Sequence, residues 1–398
     1  MYDVIVVGLG PGGATASYYA SINGARVLGI DRRREIGVPI QCGEFMPQPH
    51  TYREILPDAR RIEFLTKIPE RIIRNRIRRV SIFSPSGVEY RADFDGYVIN
   101  RAEYDKWIVS NAVKAGADIM IEGNVYSITY EGGRYRVKVS TPRGRVEVES
   151  KVLIIAAGAS TKLSEMVGLD REVDEHNLAY VIQEVMVNVD HEMDKIDMYT
   201  GKKYCPGGYA WIIPTGDGVA NIGLGIRRPY VNSSDMSLSI RDFLNRFIME
   251  HPVASIKLKD SRPISIIGGL VPVGPPLNPR NGGALLVGDA GNFVIASIGA
   301  GVPTAVLTGS IAGEASAKYV NGEADLSEYE RIIEMELREV LVNGYRIRGV
   351  IDVLCRSDIF MEHGLKLFGR EHFTDLIRVK LPTSIKFLRW IERLARTL

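Results

Sequence analysis

The chain has 398 residues, room for two or three domains, and its 45% hydrophobic and 25% charged residues are the balance of an ordinary globular protein. A formal net charge of +2 excludes a strong overall pull toward nucleic acid or an anionic membrane. Cys42, Cys205 and Cys355 are odd in number and widely spaced, which argues against a disulfide framework and for a reducing, cytoplasmic setting; the six histidines fall at no metal-ligand spacing, so no metal site is expected.

Met1-Tyr2-Asp3-Val4 leads straight into a strand with no basic segment or cleavage site before it, so no signal peptide is expected. Asp3 to Val7 is a short apolar run of the kind that forms a buried parallel strand. Gly8 to Gly13 reads as a turn, Ala14 to Asn23 as a helix closed by Gly24, and Arg26 to Ile30 as a second strand ending at Asp31, which completes one βαβ unit. Arg79 to Phe83 and Val88 to Ala92 flank Pro85-Ser86-Gly87 as a hairpin, and Arg101 to Ala115 reads as a helix. Asn124 to Tyr130, Arg134 to Ser140 and Arg145 to Val148 form an antiparallel meander, followed by the apolar strand Val152 to Ile155.

From Ala179 to Ser265 the pattern is mostly strand-like, with a helix over Arg241 to Glu250. A buried parallel strand returns at Leu285-Leu286-Val287, Pro303 to Tyr319 is helical, and so is most of the chain from Leu326 onward. The uncharged stretch between Asp289 and Glu314 is long enough to cross a bilayer, but its glycines, Pro303 and hydroxyl residues fit a buried strand-loop-helix unit better.

Gly8-Leu9-Gly10-Pro11-Gly12-Gly13 fits G-x-G-x-x-G. Gly8 permits the tight turn, Gly10 lets backbone approach a pyrophosphate, Gly13 lets helix and strand pack closely, and the helix N-terminus offers free N–H groups to phosphate. The motif follows a strand, opens a helix and is answered by Asp31, a carboxylate able to accept ribose hydroxyls, so a dinucleotide site is expected here. Two further segments distinguish FAD from NAD. Val152 to Ser160 is a buried strand ending in small residues, with Gly158 allowing close approach to the dinucleotide. Leu285 to Ala290 ends a strand on Asp289, placed to bind a ribityl chain, and Gly299 to Val302 bring backbone and a helix N-terminus to the flavin, where positive potential favours the reduced cofactor.

Together these segments resemble the para-hydroxybenzoate hydroxylase superfamily of FAD enzymes, and within it the geranylgeranyl reductase family, close to archaeal digeranylgeranylglycerophospholipid reductases. The residues that carry the resemblance are the Gly8–Gly13 fingerprint, Ile36-Gly37-x-Pro39-x-x-Cys42-Gly43-Glu44, Asn100-Arg101, Tyr209-x-Trp211-x-x-Pro214, Gly269-x-Val271-Pro272 and Gly288-Asp289-Ala290, spanning roughly residues 1–318. The resemblance implies FAD contacts at Gly12, Asp31, Cys42, Gly43, Phe45, Arg101, Val125, Asp289, Gly301 and Val302. Asp31 stands where the family commonly has Glu, Phe45 where it often has Gly, and Ile213 where it usually has Phe.

The order of elements predicts an α/β fold, α+β overall. A Rossmann-like FAD-binding domain is discontinuous over 1–75, 96–175 and 270–320; an antiparallel-sheet substrate domain is inserted over 76–95 and 176–269; a helical C-terminal region covers 321–398. Tyr209 and Trp211 share one face of a strand and wall an apolar pocket over the flavin or, more plainly, belong to the sheet core. Cys42 is the catalytic or redox candidate, against the plainer reading of a small residue packed beside the cofactor, and a Cys42–Cys205 disulfide is a geometric option. Thr383 to Leu398 is amphipathic, with Lys386, Arg389, Arg393 and Arg396 off its apolar face; it reads as a docked surface helix or as a peripheral contact with the inner face of the membrane.

The resemblance implies an FAD-dependent reductase of carbon–carbon double bonds in polyprenyl ether lipids, its electrons coming from NAD(P)H or a ferredoxin-like protein, with no nucleic-acid partner. Two alternatives stand beside it: an aromatic monooxygenase of the same superfamily and a non-catalytic lipid-binding flavoprotein.

Overall fold

Val4–Val7 carries no polar side chain, so both its faces must be covered: Val4 and Val6 face one layer, Ile5 and Val7 the other. In the computed structural model, which describes residues 1–169 and 174–381, this strand lies inside a six-stranded sheet. The order is Arg280–Asn281, Ala284–Leu286, Val152–Ile155, Val4–Val7, Val27–Ile30, Asp118–Met120. Every pairing is parallel except that of the edge strand Arg280–Asn281. The chain runs outward from Val4–Val7 in both directions, so the switch point of the sheet lies between Val4–Val7 and Val152–Ile155. Ligands of such sheets sit at the carboxyl ends beside that point.

Helices Pro11–Ile22, Arg101–Lys114 and Val302–Val320 cover one face, and an antiparallel sheet of Asn124–Glu131, Arg134–Thr141 and Gly144–Ser150 covers the other. Pro11–Ile22 and Val302–Val320 approach very closely. A Cβ on Gly309 would lie 2.1 Å from the Gly12 carbonyl oxygen, and one on Gly313 2.4 Å from that of Ala16. Gly309 and Gly313, two of the glycines that interrupt the uncharged stretch, are therefore helix-packing positions. Among the described residues no helix is long and apolar enough to cross a membrane.

The second sheet has eight strands in the order Arg262–Pro272, Leu178–Val187, Val219–Ile226, Ala210–Gly216, Lys195–Tyr199, Ile73–Phe83, Glu89–Ile99, Phe45–Pro47. The hairpin is longer than the sequence predicts, running Ile73–Phe83 and Glu89–Ile99, because the arginines at 74, 76 and 78 alternate outward while Ile77 and Val80 turn in. The outer face is covered in part by helix Ile240–Glu250, started by a Ser239/Asp242 capping box and burying Phe243, Leu244 and Phe247 against Ile182, Ile222 and Leu224. The inner face, with Val181, Trp211 and Ile213, joins the core of the helical layer.

Helices Ser327–Leu354 and Asp358–Ile377 pack across both parts. Arg348 donates to Asn177 Oδ1 and to the His176 carbonyl, each at 2.6 Å, while Asp352 pairs with Arg227 from the sheet. The amphipathic segment Thr383 to Leu398 lies outside the described residues.

Candidate active site

The glycines of the first turn each answer to a neighbour. Gly8, at φ +97°, would place a Cβ 2.3 Å from the Ala156 carbonyl oxygen across the switch point. A Cβ on Gly13 would fall 1.8 Å from the Gly8 oxygen, and one on Gly12 2.6 Å from Val287 Cγ1. At Gly10 nothing stands within 4 Å, so this is the open side of the turn, at the start of a helix that no side chain caps. Gly158, at φ +71°, is open in the same way.

Asp31 closes the second strand, but its carboxylate is already engaged. It accepts hydrogen bonds from Leu9 N at 2.8 Å, Arg33 N and Nε at 2.9 Å each, and Arg33 Nη2 at 2.7 Å. Burial alone would raise its pKa; Arg33 outweighs burial and holds it below the usual carboxylate range. The sequence reading gave Asp31 to ribose. The structure gives it to the turn and to Arg33, so a ribose hydroxyl competes with that guanidinium. Arg33 escaped the sequence reading because it is one of three consecutive arginines.

Arg101 opens its helix behind the Asn100 cap, whose Oδ1 accepts from Glu103 N. Its buried side chain donates to Asp105 at 3.0 Å, and among the described residues its Nε has no partner. Its backbone N–H donates to Glu44 Oε1 at 3.0 Å. Glu44 sits at φ +67°, a strained position for a side-chain-bearing residue, and is buried. Its Oε2 accepts from Asn221 Nδ2 at 3.0 Å. The same loop is tied to the large sheet by Gln183 Nε2 donating to the Cys42 carbonyl at 3.0 Å and Gln41 Nε2 to that of Gly268 at 2.9 Å. Gly43 runs close under the sheet, where a Cβ would lie 2.9 Å from the terminal methyl Cδ1 of Ile213 and displace it. Gln183 and Asn221 are candidate site residues that sequence reasoning missed; Glu44 was named there only within its motif, and its positive φ is visible only in the fold.

The half-buried Cys42 lies within electrostatic reach of Tyr52, Arg101 and Tyr209. Burial, with that thiol beside it, pushes Tyr209 up to about 12. The Tyr209 hydroxyl donates to the Ile298 carbonyl at 2.6 Å, fastening the sheet to the loop ahead of Gly299. Its ring stands 5.8 Å from that of Trp211. Gly301 brings its backbone against Asp289: a Cβ there would lie 2.9 Å from Asp289 Oδ1, at the start of the Val302–Val320 helix, which has no side-chain cap.

The Cys42–Cys205 option is corrected, and the side chains of Phe45 and Val125 have protein neighbours of their own. Cys42 and Cys205 do not pair: all three cysteines are free, and Cys205 lies in the core on the outer side of the large sheet, its thiol donating to the Tyr199 and Gly201 carbonyls. The Phe45 ring packs over Gly96 and near Phe94 within that sheet. Val125 turns its side chain into the core beneath the parallel sheet, leaving only nearby backbone, through Gly123 N donating to the Asp31 carbonyl, at the dinucleotide end. No cluster of metal-binding side chains occurs among the described residues.

The residues fit FAD: an open approach at Gly10, two uncapped helix N-termini, Asp289 beside the second of them, and an orphaned guanidinium nitrogen on Arg101. Fold and site define an FAD-dependent oxidoreductase. Residues 2–191 match the pyridine nucleotide-disulphide oxidoreductase family and residues 177–271 the geranylgeranyl reductase catalytic domain. A digeranylgeranylglycerophospholipid reductase of Methanocaldococcus jannaschii is 30% identical, the alignment covering 98% of each chain. One from Methanopyrus kandleri is 35% identical over 80% of this chain and 78% of its own. The chain belongs to the geranylgeranyl reductase family. Among solved structures, a geranylgeranyl bacteriochlorophyll reductase-like protein from Thermoplasma acidophilum superposes with a TM-score of 0.83 at 26% identity, covering 99% of both chains. A flavin-dependent brominase at TM-score 0.73 and 18% identity, covering all of both chains, shares the fold.

Proposed function

We propose that the protein saturates carbon–carbon double bonds of geranylgeranyl chains carried on an archaeal-type glycerolipid. The observation that carries this reading is the span of the kinship. Relatives named for that reaction align along nearly the whole of both chains, and the matched segment 177–271 contains Gln183, Tyr209, Trp211 and Asn221, the side chains that face the Cys42 loop.

An isolated alkene has no carbonyl to polarise, so the protein contributes position and dryness. FAD, when bound and reduced, would supply hydride to one alkene carbon, while a proton from the protein or water completes the other. The first turn, Arg101 and the Asp289–Val302 segment bind and orient it. Glu44, Asn221 and Gln183 hold the Cys42 loop against the sheet. Tyr209 spends its hydroxyl on Ile298 and so presents ring rather than O–H, and with Trp211 it walls an apolar chamber that excludes water. Cys42 is the catalytic candidate, placed to hold or move a proton at Sγ. With one dinucleotide fingerprint in the chain, the reductant is NAD(P)H reaching the flavin from the surface or a ferredoxin-like protein.

The test is to reduce the FAD-loaded protein without oxygen and add a geranylgeranylated glycerolipid dispersed in detergent. Mass increments of two hydrogens for each double bond are expected. Lipid that binds yet stays unchanged overturns the reading.

A further inference from the structure

Arg262–Pro272 is an edge strand, paired only with Leu178–Val187. Long edge strands are normally blunted by charge, proline or a covering element. Here the prolines stand near the ends, and the middle reads Ile-Ile-Gly-Gly-Leu. Ile264, Ile266 and Leu270 are 66%, 46% and 44% exposed. Register sets Ile266 opposite Glu184 and Leu270 opposite Tyr180, on the outer face of the sheet. Beside them an apolar groove of about 250 Å³ opens between Tyr180, Ile226 and helix residues Ile240 and Phe243, with Leu238 and the exposed Met236 on its lip.

Glu184 on this face is buried, Asp242 is engaged by Ser239 in its capping box, and three exposed arginines stand around the surface. Arg228 lies 5.8 Å over the Tyr180 ring, Arg241 acts on Glu184, and Arg262 begins the strand. All three are exposed, and none makes a salt bridge among the described residues.

We propose that this face rests on an anionic bilayer, with Ile264, Ile266 and Leu270 entering the interfacial layer and the three arginines meeting lipid phosphates. The inference rests on the lipid substrate proposed above and adds where that substrate enters. A second copy is a poorer occupant, because a two-fold contact would set the cationic rim against itself. The other face of the strand borders the site: Gly269 looks toward Gln41, next to Cys42, and Gly268 accepts the Gln41 amide. Neither glycine raises a side chain on the rim, so a polyprenyl chain passing from bilayer to pocket rounds a single edge strand.

The test uses the FAD-loaded full chain in flotation with vesicles of phosphatidylcholine alone and with added phosphatidylglycerol. Wild type is expected to float with the anionic vesicles and to be released by salt. Ile266→Glu/Leu270→Glu and Arg228→Glu/Arg241→Glu/Arg262→Glu should each lower the partition about tenfold or more and keep wild-type flavin absorbance and turnover on detergent-dispersed lipid. Vesicle binding that ignores both variants, or no binding by wild type, overturns the proposal. A dimer dissolved by the Glu variants, in protein that does not float, assigns the face to a second copy and also overturns it. Failure of wild type to reduce dispersed lipid sinks the substrate reading, and vesicle flotation is read independently of it.

Discussion

Asn221 is the joint between the site loop and the large sheet. Leucine at this position keeps the branched outline, though it is bulkier, and leaves Glu44 Oε2 buried, with no nearer sheet-side donor than Arg74 Nη1 at 3.9 Å. Asn221→Leu is expected to cost about 1–3 kcal/mol, read as a lower thermal midpoint, and to weaken FAD in a titration; an unchanged midpoint and affinity would show the clamp idle. His251 sets a second test. Its Nδ1 accepts hydrogen bonds from Val253 N and Ala254 N at 3.2 Å each, and its ring is enclosed by Tyr199, Tyr204 and Phe247. Burial pushes its pKa from 6.5 down to about 4. Between those values the unfolded chain takes up a proton that the folded one refuses, so stability falls as pH drops from 6.5 toward 4 and levels off below. His251→Asn, which keeps an acceptor but does not titrate, should flatten that slope in thermal melts; a slope unchanged from wild type refutes the assignment. Gly8 and Asp289 were legible because a local turn or strand end demands them. The pairing of Glu44 with Asn221 was not: Glu44 stands in a motif, but the two meet across 177 residues and nothing local to Asn221 announces it.

At the scale of elements, the cradle depends on how closely two helices cross. Gly309→Val would drive a side chain into the Gly12 backbone, which cannot step aside, so the helices must part. A loss of about 3 kcal/mol is expected in denaturant unfolding, and poorer FAD retention with it. Gly10→Ala gives the opposite pattern: space is free there, so the apoprotein should unfold as wild type does while FAD affinity drops, by fluorescence titration. If Gly10→Ala binds FAD normally, the approach over the turn is misassigned. The βαβ unit was readable because fully buried strands are apolar runs. The strand Ile73–Phe83 was half hidden because its exposed positions are arginines, and the Asn124–Ser150 meander was readable from its Gly and Pro turns without any sign that it would back the parallel sheet.

For the whole molecule, the C-terminal helices are the brace between cofactor layer and large sheet. Asp352 neutralises Arg227 from the sheet and Arg348 from its own helix, both of them buried. Asp352→Ala is expected to cost about 3 kcal/mol, the low end for a buried pair because Asp352 is itself partly exposed. The thermal midpoint should fall, and adding FAD should recover part of the loss if the brace and the cofactor stabilise the same state. A midpoint within error of wild type would show the brace to be incidental. Helicity in this region followed from the sequence, but its role did not, since each partner of Asp352 and Arg348 outside the helix lies 75 or more residues away. The order of the parallel sheet also bears on how the protein is made. Val4–Val7 leaves the ribosome first, waits for Val152–Ile155, and that strand waits in turn for Ala284–Leu286; the helix that completes the cradle begins only at residue 302 of 398. Through most of synthesis the growing chain therefore carries apolar strands with open edges and no cofactor site to close them. Nascent-chain capture by a holding chaperone should peak before that residue emerges and fall once free FAD can bind.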